Sequence, residues 1–353
     1  MKSKSFWKNK KVLIVGHTGF HGSWLAIWLN ELGAKVIGYS LEPKSEKEIY
    51  VLGNLAAKIK DYRGDIRDKN RLIEIINDEK PEIIINLASS NIEHNNEPTF
   101  IYEGNIMGTL NVLEAIHQCE SIKVGIMVNS DRCYENKEQI WGYRENDSIG
   151  GDEPFSASKA CSELIISSYR NTYLNPKDYD KHGKAVASVR TGSVIGGGDW
   201  NEEKVIPSCA IAFTNNEPAI IKCLDSIKPW QHVLEPTYGI ILLAEKMYDE
   251  PTKYCESWNF GPEYSSCLTV KEAVERFKKE FRKCEILELD DDTVEYSQEA
   301  KILDITKAKC KLGWKPKWSI DKTISYTAAW YKNYKTKDVY AICKNQIEKY
   351  SLL

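Results

Sequence analysis

Short apolar runs alternate with helix-period stretches through the first half of the chain. Lys11 to Val15 (K-V-L-I-V) is a continuous apolar run of the kind that a parallel sheet buries on both faces. A glycine-rich turn follows, and Ser23 to Leu32 then carries Trp24, Leu25, Trp28 and Leu29 at helical spacing. Lys35 to Tyr39 predicts a second strand, which ends at Ser40. A helix is expected over Lys69 to Asn77 and a fourth strand over Glu82 to Leu87. A later helix has Ile106, Leu110, Leu113 and Ile116 on its apolar face. Val124, Ile126 and Val128 mark a further strand, which leads through a loop to a helix beginning near Phe155. Ala185 to Arg190 predicts a sixth strand. Strands alternating with helices in this way imply an α/β fold, a Rossmann-type doubly wound parallel sheet.

From about residue 191 the alternation becomes irregular. Residues 1–190 are therefore expected to form a nucleotide-binding Rossmann domain. Residues 191–353 are expected to form a smaller α/β substrate-binding region interleaved with it. Thr269 to Phe281 and Lys322 to Tyr334 read as amphipathic surface helices.

Composition narrows the partners. The chain has 353 residues, 42% hydrophobic and 28% charged, which is ordinary for a soluble globular protein. A formal net charge of -3 gives no basic footprint, so nucleic acid is not expected as a partner. No apolar run is long enough to span a membrane, and the basic N-terminus lacks an apolar signal core; a cytoplasmic location is expected. The 10 cysteines are scattered singly, without a C-x-x-C pair, so they read as reduced thiols and no metal site is expected. The 10 Trp and 19 Tyr are expected mostly in the core, with some left to line a pocket.

Two stretches carry chemistry. The first is the turn after Lys11–Val15: Gly16, His17, Thr18, Gly19, Phe20, His21, Gly22. Strand, glycine turn and helix form a phosphate site, because the helix N-terminus presents free N–H groups to a diphosphate. A tight turn without ligand is the bland alternative. The second stretch runs from Val128 to Glu163. It sets Ser130, Asp131 and Lys159 where a strand end meets a helix start, the place where open α/β sheets bind ligands. Phe155 lies four residues before Lys159, one helical turn away on the same face.

The G-x-x-G-x-x-G spacing resembles the extended, nucleotide-sugar-modifying branch of the short-chain dehydrogenases/reductases. Further landmarks are C-Y-E-N-K-E-Q-I-W-G-Y-R-E-N-D, G-G-G-D-W and K-P-W-Q-H-V-L-E-P. Together they resemble the CDP-glucose 4,6-dehydratases from about Phe6 to about Lys335. The resemblance implies bound NAD, a CDP-sugar substrate and a homodimer joined through the helices Phe100 to Gln118 and Phe155 to Tyr173. It implies cofactor contacts at Gly16, Thr18, Gly19, Phe20, Gly22, Ser40, Asp65, Ile66, Leu87, Ala88, Lys159 and Arg190. Asp65 would hold the adenine amine; the bland reading of this stretch is that Asp68 simply caps the helix Lys69 to Asn77. No acid stands at Ser40 for the adenosine ribose and Glu42 comes two positions later; no Arg follows directly, which favours NAD over NADP. Substrate contacts are implied at Ser89, Asn105, Ser193, Gly198, Trp200, Val205, Lys228, Gln231 and His232. Asn105 would brace the catalytic loop, or simply satisfy hydrogen bonds in a helix.

The family reaction oxidises C4 of the sugar, eliminates water across C5–C6 and returns the hydride to C6. Its catalytic positions here are Ser130, Asp131, Arg132, Phe155 and Lys159. Phe155 stands in the Tyr position of Y-x-x-x-K and cannot accept a proton. Arg132 replaces the usual Lys or Glu and stays protonated. Ser193 and Lys228 replace an Asn and an Arg, and Ser89-Ser90 departs from the usual pocket. Phe155 alone is the change that traps a substrate complex; the whole set points to natural divergence. The expected activity is a lyase, conversion of a CDP-hexose to its 4-keto-6-deoxy form. The alternatives are 4-oxidation, epimerisation or reduction of a nucleotide sugar, or CDP-sugar binding without turnover. Tyr134, Glu135 and His94 are the nearby candidates for the missing base.

Overall fold

A computed structural model describes residues 4–90, 96–281, 285–288 and 301–352. Seven strands form one parallel sheet: β1 (Lys11–Val15), β2 (Lys35–Ser40), β3 (Lys60–Arg63), β4 (Ile83–Asn86), β5 (Val124–Ser130), β6 (Ala185–Thr191) and β7 (Ser257–Phe260). Their order is β7-β6-β5-β4-β1-β2-β3. The central strands are apolar throughout because helices cover both faces. One cluster sets Val12, Ile14, Ile83 and Ile85 against Trp24 and Trp28. On the other face Leu13, Val15 and Ile84 meet Leu72, Leu113 and Ile116.

The direction of the sheet places the site. The chain moves outward from β1 through β2 to β3, then returns to the other side of β1 as β4. The loops that leave β1 and β4 therefore part in opposite directions and open a crevice at their carboxyl ends. Helix α1 (Phe20–Glu31) begins in that crevice. α2 (Lys69–Glu79) is capped by Asp68, whose carboxylate accepts from the Arg71 amide, so the capping role of Asp68 is the one observed.

The predicted helix around Asn105 has a break in period. Pro98–Tyr102 and α3 (Gly108–Gln118) are α-helical, but Glu103–Met107 between them is a π-helical turn. Such one-turn insertions recur at functional sites. α4 (Pro154–Asn171) starts with Pro154 in its first turn, and the Glu153 carboxylate accepts from the amides of Phe155 and Ser156 at 2.8 Å each.

The segments after residue 191 reach back to this sheet. β7 pairs with β6, and the short strands Val194–Ile195 and Gln231–His232 pair in parallel beside it. The Trp24 indole of α1 donates to the Gly197 carbonyl. α5 (Leu234–Asp249) is buried on nearly every side, whereas α6 (Ile320–Asn333) turns one face to the core; Trp330 and Tyr331 of α6 are fully buried. Among the described residues no helix is long and apolar enough to cross a membrane.

Candidate active site

A cleft of about 870 Å³ opens along the carboxyl ends of β1 to β4. Gly16, Thr18, Gly19, Phe20 and Gly22 line it from the first turn, and Ser40 from the end of β2. Asp65 and Ile66 follow β3, while Leu87, Ala88 and Ser89 follow β4. Trp200 closes the side opposite, with Asp199 and Lys204. Gly19 is the N-cap of α1 and makes no side-chain cap, so the helix presents uncapped amides to the cleft. Gly22 is sterically required: a Cβ there would fall 2.1 Å from the Gly16 carbonyl oxygen. Gly22→Ala is expected to push the helix off the turn at a cost of about 1–3 kcal/mol. Urea unfolding would read the loss, and an unchanged midpoint would contradict the packing described.

The polar groups of the cleft are held in place before any ligand arrives. The hydroxyls of Thr18 and Ser40 meet at 2.8 Å. The Asp65 carboxylate pairs with Arg67 at 2.7 Å, which keeps its pKa below the usual value, so it is ionised. Glu42, two residues beyond Ser40, lines the cleft and pairs with Arg63 at 3.1 Å. This uncapped helix end and set of acceptors fit a dinucleotide, with the diphosphate at α1.

The second group sits where β5 ends. The Ser130 hydroxyl donates to Asp131 at 2.7 Å and accepts from the Arg132 amide at 3.2 Å. Burial pushes the Asp131 carboxyl up, against the pull of Ser130 and of the cations Arg132 and Lys301. Lys228 also lies near: its pKa is lowered by burial and then by Arg132, while Asp131 opposes. Gly192 leaves room here, since a Cβ would lie 3.2 Å from the Asp131 oxygen. Asn129 ties strand to helix, donating to the Lys159 carbonyl at 3.0 Å and to Glu163 at 3.1 Å. Lys159 is buried, with its ammonium 5.5 Å from the centre of the Phe155 ring. Burial lowers its pKa to about 8.

Asn105 joins both groups. Its side chain accepts from the Ser90 amide at 2.8 Å and from the Ser89 hydroxyl, and donates to Ser158 of α4 at 2.9 Å. Other predicted positions stand apart from the cleft lining. Arg190 is 4% exposed; its guanidinium pairs with Glu163 at 2.8 Å and also donates to the Tyr134 hydroxyl and the Glu145 carbonyl. Gln231 is buried and donates to Thr191 and the Phe260 carbonyl. Ser193 is exposed before Val194–Ile195, and Val205 opens the helix Val205–Asn215. Gly198 takes φ +83° and packs on Ile49 and Trp330. Of the three candidate replacement bases, Tyr134 is fully buried with its hydroxyl between Arg190 and Asn259. Glu135 is exposed and paired with Lys137. His94 lies outside the described residues.

His232 is fully buried between Trp24 and Trp318, and burial lowers its pKa to about 3. A folded-state pKa below the ordinary 6.5 means stability that is present above pH 6.5 and is lost as pH falls towards 3. His232→Gln removes that titration. The stability gap between the two proteins should therefore shrink as pH drops through this window in urea titrations. A gap that stays constant would contradict it.

Glu163 and Lys301 were not singled out from sequence. Glu163 follows Lys159 by four residues, so the same-face spacing could have found it. Lys301 donates to the Tyr134 carbonyl and faces Asp131 from far along the chain, with no local signal.

Residues 13–327 match the family model described as GDP-mannose 4,6 dehydratase. The chain is 40% identical over 353 residues to a CDP-glucose 4,6-dehydratase of Salmonella typhimurium, covering 99% of this chain and 98% of that one. Its fold is similar to a UDP-glucose 4-epimerase of Thermotoga maritima solved with UDP-glucose, with a TM-score of 0.77, 22% identity and coverage of 91% and 98%. It is also similar to a dTDP-glucose 4,6-dehydratase of Bacillus anthracis in complex with NAD, with a TM-score of 0.74, 20% identity and coverage of 94% and 99%. The chain belongs to the sugar-nucleotide 4,6-dehydratase family, within the extended short-chain dehydrogenases/reductases.

Proposed function

We propose that the protein is an NAD-dependent lyase that dehydrates CDP-glucose, or a closely related CDP-hexose, to the 4-keto-6-deoxy sugar. The observation that carries this reading is the end-to-end 40% identity to a CDP-glucose 4,6-dehydratase. The uncapped amides of α1 and the ionised Asp65 suit the diphosphate and the adenine amine of NAD. Bound there, NAD supplies a hydride acceptor that is regenerated at the end of the cycle. Ser130 positions the sugar hydroxyl. Asp131, whose pKa is raised by burial, holds a proton for the departing O6. Lys228 and Arg132 supply positive charge for the nucleotide diphosphate beside it. Residues 1–190 are the cofactor half and residues 191–353 the substrate half. A homodimer through α4 and the helices around Asn105 is supported by exposed Met107 and Leu164.

A second reading keeps the class and changes the outcome to 4-oxidation, epimerisation or reduction. It is favoured by Arg132, a guanidinium where a base is usual. The test supplies NAD with CDP-glucose, dTDP-glucose or UDP-glucose to the protein and to Phe155→Tyr, and weighs the products. Loss of one water from CDP-glucose is expected. An isomer, an oxidised sugar, or conversion of the other nucleotides alone would sink the dehydratase reading.

A further inference from the structure

The two sides of the dinucleotide cleft are joined across its mouth. β2 ends at Ser40, beside Arg63 at the end of β3, and the chain then runs from Leu41 to Lys47 in neither strand nor helix. This loop is largely exposed, and Glu42 and Lys44 turn it to the cleft. It borders the end of the cleft that holds Ser40 and Asp65. Its root is fixed: the Thr18 hydroxyl donates to the Leu41 carbonyl at 3.1 Å, and Glu42 pairs with Arg63. Its far end meets Trp200, which lines the cleft from the other side. The Trp200 indole N–H donates to the Lys47 carbonyl at 2.6 Å, and the Lys47 ammonium lies 5.5 Å from the centre of the Trp200 ring.

The two partners in this contact differ in rigidity. Trp200 packs edge-on against Tyr331 and Tyr334, with ring centres 5.4 Å and 5.1 Å away. The Tyr331 hydroxyl donates to the Asp199 carbonyl, and Gly197 fits so closely on Trp330 that a Cβ would fall 1.9 Å from the ring. Trp200 is therefore a fixed post on α6. The loop has no ladder of its own between its root and the buried Ile49, and such segments open at little cost. An indole has one N–H, and here it is given to the loop, so none is left for a sugar hydroxyl.

We propose that Trp200 is a cofactor-retention residue: by fastening the loop Leu41–Lys47 across the cleft it holds NAD in and sets the rate at which the dinucleotide leaves. This rests on the reading of the cleft as the NAD site. Trp200 works through the loop, as a positioning residue, and takes no part in the chemical steps. Linkage makes the effect reciprocal. If the fastened loop slows departure of NAD, bound NAD must favour the fastened loop by the same factor.

The experiment loads the full chain with radiolabelled NAD and chases it with excess unlabelled NAD. Trp200→Phe keeps an aromatic ring and deletes the N–H; it should release NAD about tenfold faster, the worth of one net hydrogen bond. Its affinity for CDP-glucose at saturating NAD should stay within about twofold. A second measurement needs no variant: NAD should slow tryptic cleavage after Lys44 and Lys47 of the unaltered protein, read by mass spectrometry of the fragments. In Trp200→Phe that protection should weaken. The proposal is overturned if NAD leaves both proteins at the same rate, or if NAD leaves cleavage after Lys44 and Lys47 unchanged in the unaltered protein. It is overturned too if Trp200→Phe weakens CDP-glucose and not NAD, since Trp200 would then serve the substrate. If the unaltered protein binds no NAD, the cofactor reading fails first and takes this proposal with it.

Discussion

Phe155→Tyr should raise the rate of CDP-glucose dehydration by about 10²–10⁴-fold, the usual worth of a positioned general base. The substitution adds one oxygen to a ring already in place. Phe155 is half-buried, its amide is fixed by Glu153, and the Lys159 ammonium lies over its face. The new hydroxyl would find a cation whose own pKa is lowered to about 8 by burial. Each group should shift the other, with the phenol ionising more easily and the ammonium holding its proton longer. Because the change completes a chemical step, kcat should rise while KM stays close to its starting value. Steady-state kinetics on the two proteins would check this. A rise below tenfold would mean that Arg132, or another part of the site, limits the reaction.

Glu163→Ala is expected to cost about 3–5 kcal/mol of stability, because it strands a buried charge. Glu163 is 2% exposed and Arg190 4%, and they meet at 2.8 Å between α4 and β6. Ser188 and Asn129 also donate to this carboxylate. The variant would leave one guanidinium and two neutral donors without this acceptor. Glu163→Gln keeps an acceptor oxygen and should lose less. Urea denaturation at neutral pH measures both. A loss under about 1 kcal/mol for the Ala variant would show that the partners Arg190 already has, the Tyr134 hydroxyl at 2.8 Å and the Glu145 carbonyl at 3.0 Å, suffice to hold it.

The legible parts of this protein were the local ones. Lys11–Val15, the glycine turn and α1 follow one another without a break. Apolar period, turn residues and helix start all act within a few residues there. The same holds for β5, Ser130, Asp131 and Lys159, which one short stretch carries. What sequence could not supply is pairing across distance. Nothing in Ser257–Phe260 says that it extends the sheet beyond β6, since parallel neighbours are joined by long crossovers. Arg190 looks like a site residue because it ends a strand at the right edge. Its placement depends on Glu163, Tyr134 and Glu145, which come from three other segments. Lys301 reaches Tyr134 across 167 residues, nearly half of the chain. Such residues are found by asking where each buried charge is neutralised, which requires coordinates.

The π-helical turn at Glu103–Met107 also sets a helical phase. One residue in an α-helix is worth about 100° of rotation. The extra residue lets Pro98–Tyr102 and α3 face directions that a regular helix of this sequence could not combine. The same turn carries Asn105 to both Ser90 and Ser158. Deleting a single residue there would leave the composition nearly unchanged and swing α3 by about that angle. Ile116 and Leu113 would then leave the sheet as Asn105 left the loop. In this segment, core packing and site geometry share a single degree of freedom, and no substitution there can retune one without disturbing the other.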